Sequence, residues 1–236
     1  MDFPASVIAK VGGVSLKTLA SVPPIILLVL LSVASAQQPT SQSDSSQPKS
    51  FNPVDRTGED KWRSFFMFSA GGRDFTIRGD GFAQCTPGRA RPLSFRLMLG
   101  REGQLERVYF LEHEGDLFLI YEATDQRYGW GYVERFDLRT MKRKWITPVS
   151  AFNIGPGLVE DNSLYLAAAN LVARIDLGSG RYVWQHDELQ KQYSLLVESF
   201  QLPAISNDKV SFYENGHRGR TVEIEKTTGK ILNLAN

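Results

Sequence analysis

Apolar and polar positions alternate in short runs along the C-terminal half of the chain, most clearly within residues 162–184. In Leu171–Leu177, alternate apolar side chains share one face of an extended chain, and Arg174 lies on the other face. A period of two is typical of a β-strand, because successive side chains of a strand point to opposite faces of the sheet. Leu164–Ala168 and Arg181–Trp184 have the apolar, β-branched and aromatic residues that strands favour. The pattern predicts three strands joined by short connections.

The last two of these strands are separated by Asp176-Leu177-Gly178-Ser179-Gly180. The carboxylate of Asp176 can accept hydrogen bonds from turn amides, and Gly180 can adopt the positive φ that a bulged hairpin loop requires. The segment therefore predicts a tight turn, and Trp184 follows it closely.

The same unit recurs on both sides. Asp137 and Trp145 repeat it 39 residues upstream (176 − 137), and Glu225 and Gly229 repeat it 49 residues downstream (225 − 176). A repeat of about 40–50 residues that contains only strands indicates the four-stranded blades of a β-propeller.

The middle copy combines an apolar strand, an apolar–Asp pair, a Ser-Gly-Arg turn and a tryptophan, at Leu164-Tyr165, Ile175-Asp176, Ser179-Gly180-Arg181 and Trp184. It resembles the pyrroloquinoline-quinone-type (quinoprotein-like) propeller repeat. The resemblance covers about residues 116–236 and implies a fold rather than an activity, because most members that lack extra motifs are not known to bind the quinone.

Two copies depart from the family pattern. In the first copy Met141 occupies the position of the turn glycine, so that turn is either built differently or strained by roughly 1 kcal/mol. The last copy keeps Thr228-Gly229-Lys230 but has Glu225 and Asn233 in place of the aspartate and the tryptophan.

Residues 59–114 contain strand-like runs separated by glycine-rich turns but no copy of the Asp-Gly-Trp unit. The runs are Trp62–Phe68, Asp74–Ile77, Leu93–Leu99 and Arg107–Leu111. The predicted fold is an all-β, small or partial β-propeller of about three to four four-stranded antiparallel blades, spanning residues 59–236. The alternative is an open arc of three blades that the first region caps. An unpaired blade edge would favour a homo-oligomer.

The N-terminal residues 1–36 have the features of a signal peptide. Lys10 and Lys17 precede the apolar run Ile25–Leu31, and Ala34-Ser35-Ala36 matches a cleavage site. We expect export to the periplasm or the extracellular space. The alternative is an uncleaved membrane anchor at residues 20–36. Residues 37–58 are rich in Ser, Gln and Pro, and are predicted to be a disordered linker.

The balance of charges and the spacing of the potential metal ligands argue against several functions. Cleavage after residue 36 would leave 27 − 2 = 25 basic and 26 − 1 = 25 acidic side chains, a balance that argues against a nucleic-acid partner. The only cysteine, Cys85, can form no internal disulfide and is expected to be a buried thiol. The three histidines lack metal-ligand spacing, at His113, His186 and His217. We predict no catalytic residue, no metal and no cofactor.

The segment Tyr128-Gly129-Trp130-Gly131-Tyr132 is the strongest candidate for a contact with a partner. It lies in a predicted insertion, residues 125–131, between strands at 117–123 and 132–138. Aromatic rings on a glycine-flanked loop could contact a protein or stack on a ligand. The alternative is that Trp130 packs back on a blade.

Three functions fit the sequence. The first is a non-enzymatic exported scaffold that binds a protein partner in the cell envelope. The second is a quinone-dependent oxidoreductase, which requires a wide central channel and Ca²⁺ ligands that the sequence does not supply. The third is a hydrolase or carbohydrate-binding propeller, which requires acids or aromatic platforms at the axis. The sequence favours the scaffold.

Overall fold

The computed structural model describes residues 47–58, 64–87, 92–100, 103–125, 128–189, 199–216 and 219–235. Within these ranges the chain forms twenty β-strands in four antiparallel sheets, and the sequence prediction of an all-β protein with about three to four propeller-type blades is confirmed. Each sheet has five strands where the sequence predicted four. No helix in the described ranges is long and apolar enough to span a membrane.

Three short strands near the N-terminus, β1 (Lys49–Ser50), β2 (Asn52–Val54) and β3 (Arg56–Thr57), lie on three different sheets. We call residues 49–57 the N-terminal strap. β3 pairs with the first sheet, β2 with the second and β1 with the third, so the strap crosses the sheets in the reverse of their order along the chain.

Four further strands complete the first sheet, in the order β3-β4-β5-β6-β7, with β4 at Phe65–Ala70, β5 at Arg73–Arg78, β6 at Phe82–Pro87 and β7 at Leu93–Arg96. The second sheet has the order β2-β8-β9-β10-β11, with β8 at Gln104–His113, β9 at Asp116–Thr124, β10 at Gly129–Asp137 and β11 at Arg143–Val149.

The third sheet has the order β1-β12-β13-β14-β15, with β12 at Leu158–Glu160, β13 at Ser163–Ala168, β14 at Leu171–Asp176 and β15 at Tyr182–His186. In the fourth sheet β16 (Ser199–Phe200) and β17 (Ala204–Ser206) both pair with β18 (Lys209–Asn215), which is followed by β19 (Thr221–Glu225) and β20 (Ile231–Ala235).

Three apolar clusters join each sheet to the next. The first lies between the first and second sheets, the second between the second and third, and the third between the third and fourth. β9 contributes to two clusters, because Leu117 and Leu119 face the first sheet and Phe118 and Ile120 face the third. A strand buried on both faces needs a continuous apolar run, which is why β9 does not alternate with polar residues.

The strap corrects the predicted disordered linker at residues 37–58, because residues 49–57 of that range are folded. Phe51, which is 2% exposed, packs in the second cluster, and Val54, which is 8% exposed, packs in the first. The prediction was wrong for these residues because residues 37–58 are polar on average, and composition alone does not reveal two buried apolar side chains. Residues 37–46, like the predicted signal peptide, lie outside the described residues.

The first region is a sheet of the same kind as the others rather than a cap. Its strand β6 was not predicted, because Gln84, Cys85 and the turn signal Thr86-Pro87-Gly88 do not read as a strand. Cys85 lies on β6 and is fully buried in the first cluster. Trp62 of the predicted first run lies outside the described residues.

Candidate functional site

A tryptophan, an arginine and a turn glycine connect the second sheet to the third. Trp145 Nε1 and Arg135 Nη1 both donate hydrogen bonds to the carbonyl oxygen of Leu177, at 2.9 and 2.7 Å. A Cβ atom on Gly180 would lie 2.6 Å from the indole ring of Trp145, so only glycine allows this close packing. We call this arrangement the turn clamp.

The third and fourth sheets are joined by a second turn clamp. Trp184 Nε1 and Arg174 Nη1 donate to the carbonyl oxygen of Lys226, at 2.9 and 2.8 Å. A Cβ atom on Gly229 would lie 2.6 Å from the ring of Trp184. The positions that the sequence aligns therefore make equivalent contacts at two successive interfaces.

The aspartates of the repeat hold the turns. Asp137 Oδ1 accepts hydrogen bonds from the amide and hydroxyl groups of Thr140, and Asp176 Oδ1 accepts the same pair from Ser179. The Ser179 side-chain bond is the main cause that lowers the pKa of Asp176, and the Thr140 side-chain bond does the same for Asp137. These carboxylates therefore have a structural role in the turns.

Met141 adopts the turn conformation of the glycines, with φ of 54° against 72° at Gly180. Its amide donates to the Asp137 carbonyl at 2.8 Å, as the Gly180 amide does to Asp176. The first turn is thus built in the same way and carries the backbone strain of a non-glycine residue. The Met141 side chain is buried in the first cluster, and this burial offsets the strain.

An exposed aromatic surface lies at the β9–β10 turn, and it brings together part of the predicted partner contact. Tyr128 is 70% exposed, and its amide donates to Asp125 Oδ1 at 2.7 Å. Phe152, 46% exposed, lies beside the neighbouring strand, because a Cβ atom on Gly129 would lie 2.9 Å from its own Cβ. We call Tyr128 and Phe152 the aromatic rim. The sequence analysis missed Phe152, since it lies on a different connection.

Trp130 and Tyr132 lie on the face of β10 that packs on the first cluster, whereas Gly129 and Gly131 face Phe152 and Ile154. Trp130 is half-buried against Gly100 and Gly103, where Cβ atoms would lie 3.1 and 3.0 Å from its ring, and it packs on the first cluster. Its indole N–H is buried, and no described group accepts a hydrogen bond from it. The two rings are thus packed on the blade, and β10 begins at Gly129, so the predicted insertion at 125–131 is shorter than expected.

A buried polar group lies next to Tyr132. Tyr132 pairs with Tyr121 across β9 and β10, and their ring centroids are 5.4 Å apart. The Tyr121 hydroxyl donates to Glu134 Oε1, and Arg143 Nε bonds Glu134 Oε2 at 2.5 Å. Burial raises the pKa of Glu134 and also that of Tyr121. Both carboxylate oxygens are engaged by neighbours, so this group stabilises the packing around Tyr132.

A polar pocket of about 290 Å³ lies between the third and fourth sheets, near the turns. Lys226 Nζ bonds Glu160 Oε2 at 2.6 Å, and Asn162 Nδ2 bonds Asp176 Oδ2 at 2.6 Å. Its aromatic lining residue, Tyr165, is 2% exposed and offers no stacking face. Lys226, Glu160 and Arg174 join the two sheets, and Asp176 is held by groups of its own sheet.

The two histidines that the structure describes lie on different sheets. His113 Nδ1 lies 3.2 Å from the Lys49 ammonium of the strap, and His186 Nε2 lies 2.6 Å from the Gly229 carbonyl oxygen. His217 lies outside the described residues. Across the described ranges no group of three or more His, Cys, Asp or Glu side chains is placed to hold a metal ion.

The fold and these contacts define an all-β protein of four propeller-type sheets with an exposed aromatic surface. A comparison with protein-family models found no match, and a comparison with curated proteins found none either.

Among solved structures the chain is similar to Sqt1 of Saccharomyces cerevisiae, at 11% identity and a TM-score of 0.48, over 78% of this chain and 60% of Sqt1. It is similar to the computationally designed Ika8 protein at 12% identity and a TM-score of 0.45, over 78% and 61% of the two chains. A bifunctional GH43-CE protein of Bacteroides eggerthii matches at 12% identity and a TM-score of 0.34, over 80% and 29%. The chain spans about three fifths of the length of the first two.

Proposed function

We propose that this protein is an exported, non-enzymatic propeller-type scaffold that binds a protein partner in the cell envelope. The exposure of Tyr128 and Phe152, at 70% and 46%, is the observation that carries this proposal. Tyrosine is enriched among the few residues that carry most of the binding energy at protein interfaces, and neighbouring exposed aromatic rings favour such a contact. Trp130 and Tyr132 are half-buried on the first cluster and hold the start of β10, next to Tyr128, in place, which lowers the entropic cost of binding.

Export is supported by the apolar run Ile25–Leu31 and by Ala34-Ser35-Ala36. In the proposal the signal segment is removed, and the alternative remains an anchor at residues 20–36. The two turn clamps support membership of the quinoprotein-like repeat class, because Trp145 and Trp184 pack on the turn glycines of the following sheets.

The contacts of two carboxylates inside the protein also agree with a scaffold. Glu134 is held by Tyr121 and Arg143, and Glu160 is held by Lys226. Each of these carboxylates joins strands or sheets, an arrangement that favours a structural role over proton transfer. The polar pocket is the basis of the alternative, a carbohydrate-binding propeller, and its buried Tyr165 makes that alternative the weaker one.

Photo-crosslinking in the native host tests the scaffold proposal. A benzophenone amino acid replaces Tyr128 in one variant and Tyr213, which is 37% exposed on the fourth sheet, in the matched control. We expect a discrete protein adduct from position 128 and none from position 213. Equal adducts from both positions, or none from position 128, would contradict the assignment of the aromatic rim.

Once the adduct is identified, the partner can be titrated with purified variants. We expect Tyr128→Ala to weaken binding about tenfold or more, since truncation of an interface hot spot typically costs over 1.4 kcal/mol. Tyr213→Ala is the control and should bind like the original protein. A parallel titration with the quinone and Ca²⁺ should leave the melting temperature unchanged, and saturable binding would favour the oxidoreductase alternative.

A further inference from the structure

The two turn clamps differ in the group that stands opposite the arginine side chain. Asp137 faces Asp116 across β9 and β10, and Asp176 faces Ser163 across β13 and β14. Because Asp137 and Asp176 are equivalent positions of the repeat, Ser163 in the third sheet takes the place that Asp116 has in the second. A neutral hydroxyl group therefore replaces a carboxylate at the second clamp.

Asp116 is the carboxylate that compensates the arginine of the first clamp. Arg135 Nε donates to Asp116 Oδ2 at 2.5 Å, and Arg135 Nη2 forms an ion pair with the same oxygen. Lys144 Nζ donates to both oxygens of Asp116, at 2.6 and 2.8 Å. The carboxylate is 1% exposed, and a carboxylate buried this deeply needs such partners to stay ionised.

Arg174 of the second clamp has no equivalent of this ion pair. Its Nε donates to Ser163 Oγ at 2.9 Å, and its Nη1 donates to the Lys226 carbonyl oxygen at 2.8 Å. Among the residues that the structure describes, no carboxylate lies within ion-pair distance of this guanidinium group, and its Nη2 has no acceptor. Because arginine stays protonated, Nη2 remains a donor for an anion.

The lysine that accompanies the carboxylate has changed as well. Lys144 immediately precedes the clamp tryptophan of the second sheet, and Val183 has that position in the third sheet. In the third and fourth sheets the ammonium group comes from Lys226 instead, and it bonds Glu160 Oε2 at 2.6 Å. The ion pair has therefore moved away from the arginine of the clamp.

The polar pocket lies at this arginine. Ser163 and Arg174 line it, together with Glu160, Asp161 and Lys226. Its volume is about 290 Å³. A water molecule takes up about 30 Å³, so the pocket has room for a small organic molecule of roughly ten non-hydrogen atoms. A ligand carboxylate can therefore reach the guanidinium group that a side-chain carboxylate contacts in the first clamp.

The charges of the pocket determine what else the ligand must carry. Three carboxylates line it, at Glu160, Asp161 and Asp176, against two cations, at Arg174 and Lys226, an excess of one negative charge (3 − 2). Asp161 is exposed and forms no ion pair with a described residue. A simple anion would double the negative excess, whereas a ligand that also has an ammonium group leaves it unchanged and can pair with Asp161.

We propose that this pocket binds a small zwitterion, a molecule with one carboxylate and one ammonium group, as in a free amino acid. The ligand carboxylate accepts hydrogen bonds from Arg174 as Asp116 does from Arg135, and the ammonium group lies against Asp161. Recognition is polar, because the buried Tyr165 offers no stacking face. Neither residue of the aromatic rim lines the pocket, so this proposal is independent of the partner-binding proposal.

Nuclear magnetic resonance of the Arg174 side chain tests the proposal. The probes are glycine, β-alanine and γ-aminobutyrate, which place the two charges at increasing separations, with acetate and ethylamine as single-charge controls. Each is titrated into the protein while the Nε–H signal of Arg174 is followed, and Arg174→Lys identifies that signal by its loss. We expect at least one zwitterion to shift the signal saturably, with a Kd about tenfold or more below those of both controls.

Ser163→Asp gives Arg174 the carboxylate that Arg135 has, and this side chain competes with the ligand. Binding of the best zwitterion should weaken about tenfold or more. Ser94→Asp adds the same charge at an exposed position of the first sheet and should bind like the original protein. Circular dichroism shows whether each variant keeps its strands.

Asp161→Asn provides a test at an exposed position, where the positive φ of 51° suits asparagine as well as aspartate. It removes the partner of the ammonium group, so the zwitterion should bind about tenfold more weakly while acetate binds no more weakly than before. This comparison decides the proposal even if Ser163→Asp does not fold.

Three outcomes would overturn the proposal. The first is the absence of a saturable shift with all three zwitterions. The second is acetate binding as tightly as the best zwitterion, which would make the pocket a general anion site. The third is an unchanged affinity in Asp161→Asn, which would place the ammonium group elsewhere. None of these results bears on crosslinking from position 128, which tests the partner-binding proposal separately.

Discussion

Single residues decide how closely neighbouring sheets approach at the turn clamps. Gly180 has φ of 72° and no room for a Cβ atom beside Trp145. Gly72 has a similar φ of 66° but no atom within 4 Å of a Cβ position. A comparison of substitutions at the two glycines therefore distinguishes the cost of backbone strain from the cost of a clash between a Cβ atom and its neighbours.

We expect Gly180→Ala to lower the free energy of unfolding by about 2–4 kcal/mol, because about 1 kcal/mol of backbone strain adds to displacement of the Trp145 ring. The matched control Gly72→Ala should cost only the strain, about 1 kcal/mol. Urea denaturation measures both values. Equal costs would show that the indole ring does not require the glycine.

Trp184 makes a second residue-scale prediction. Its side chain is 9% exposed, packs in the third cluster and donates to the Lys226 carbonyl. Trp184→Ala should lower the free energy of unfolding by about 3–5 kcal/mol, as is usual for a buried aromatic residue. Val183→Ala, at the exposed neighbouring position, is the control and should change it by less than about 0.5 kcal/mol. A small effect at Trp184 would argue against its role in the clamp.

At the residue scale the turns could be predicted from the sequence, since the hydrogen bonds of a turn join residues that are close together in the chain. Asp176 and Ser179 are three residues apart, and their contact is local. The partners of Arg135 and Trp145 could not be predicted, because Leu177 belongs to another sheet. The acceptor is also a backbone carbonyl group, which every residue type has, so the sequence does not mark it.

At the scale of elements, the strap is the part that the sequence analysis assigned wrongly. Its residues are mostly polar, and only Phe51 and Val54 are apolar anchors. Pro53 faces Tyr109, a position whose backbone groups point away from the strap, so its missing N–H costs no hydrogen bond. Periodicity cannot reveal an element that changes sheets every three residues.

Phe51→Ala tests the contribution of the strap. We expect a loss of about 3–5 kcal/mol in unfolding free energy, because the ring fills the interface between the second and third sheets. Hydrogen exchange should become faster at Phe110 and Val159, which the strap faces or adjoins. Asn52→Ala, at an exposed strap position, serves as the control. Unchanged exchange in Phe51→Ala would show that the strap is held by its backbone alone.

The strap should also respond to pH through His113. Burial is the main cause that lowers the pKa of His113, the nearby Lys49 and Arg135 lower it further, and Glu114 and Asp116 partly oppose them. The folded protein favours the neutral ring, so its stabilising effect is present above the unfolded pKa of about 6.5 and is lost as the pH falls through the folded value.

We therefore expect amides of β1 to exchange faster, after correction for intrinsic rates, as the pH falls from 7.5 to 5.5. His113→Gln removes the titrating group and should flatten this dependence. A dependence that survives in His113→Gln would assign the effect to another group.

At the scale of the whole molecule, each sheet is held by its neighbours through one apolar cluster per interface. In such an array, stability is close to a sum of unit and nearest-neighbour terms. Damage at one interface should therefore spread to the adjoining sheets before it reaches distant ones.

Hydrogen exchange in Trp184→Ala measures how far the effect of damage at one interface spreads through the sheets. We expect faster exchange in β18 and β19, which pack on the third cluster, and little change in β5 and β6 of the first sheet. Phe75→Ala, in the first cluster, should give the reverse pattern. Uniform acceleration in both variants would mean that the four sheets unfold as one cooperative unit.

The repeat predicted three blades from residues 116–236, where the copies share a turn, and left open whether the first region adds a fourth. It did not predict how the first region is built, since Phe95 and Met141 replace the tryptophan–glycine contact at the first interface with other apolar packing. Of the aromatic rim only Tyr128 could be found from the sequence, because Phe152 comes from a separate connection that the folded chain places beside Gly129.

The strap also sets an order of events for a chain made from its N-terminus. Lys49 lies 110 positions before its partner Val159 (159 − 49), whereas the partners within each hairpin are close in sequence. Loops of that size close slowly, so β1, which is synthesised before all the sheets, finds its place only after the third sheet exists. Until then the edge of the third sheet stays open, and a chaperone that holds residues 49–57 would delay completion of the fold without touching any blade.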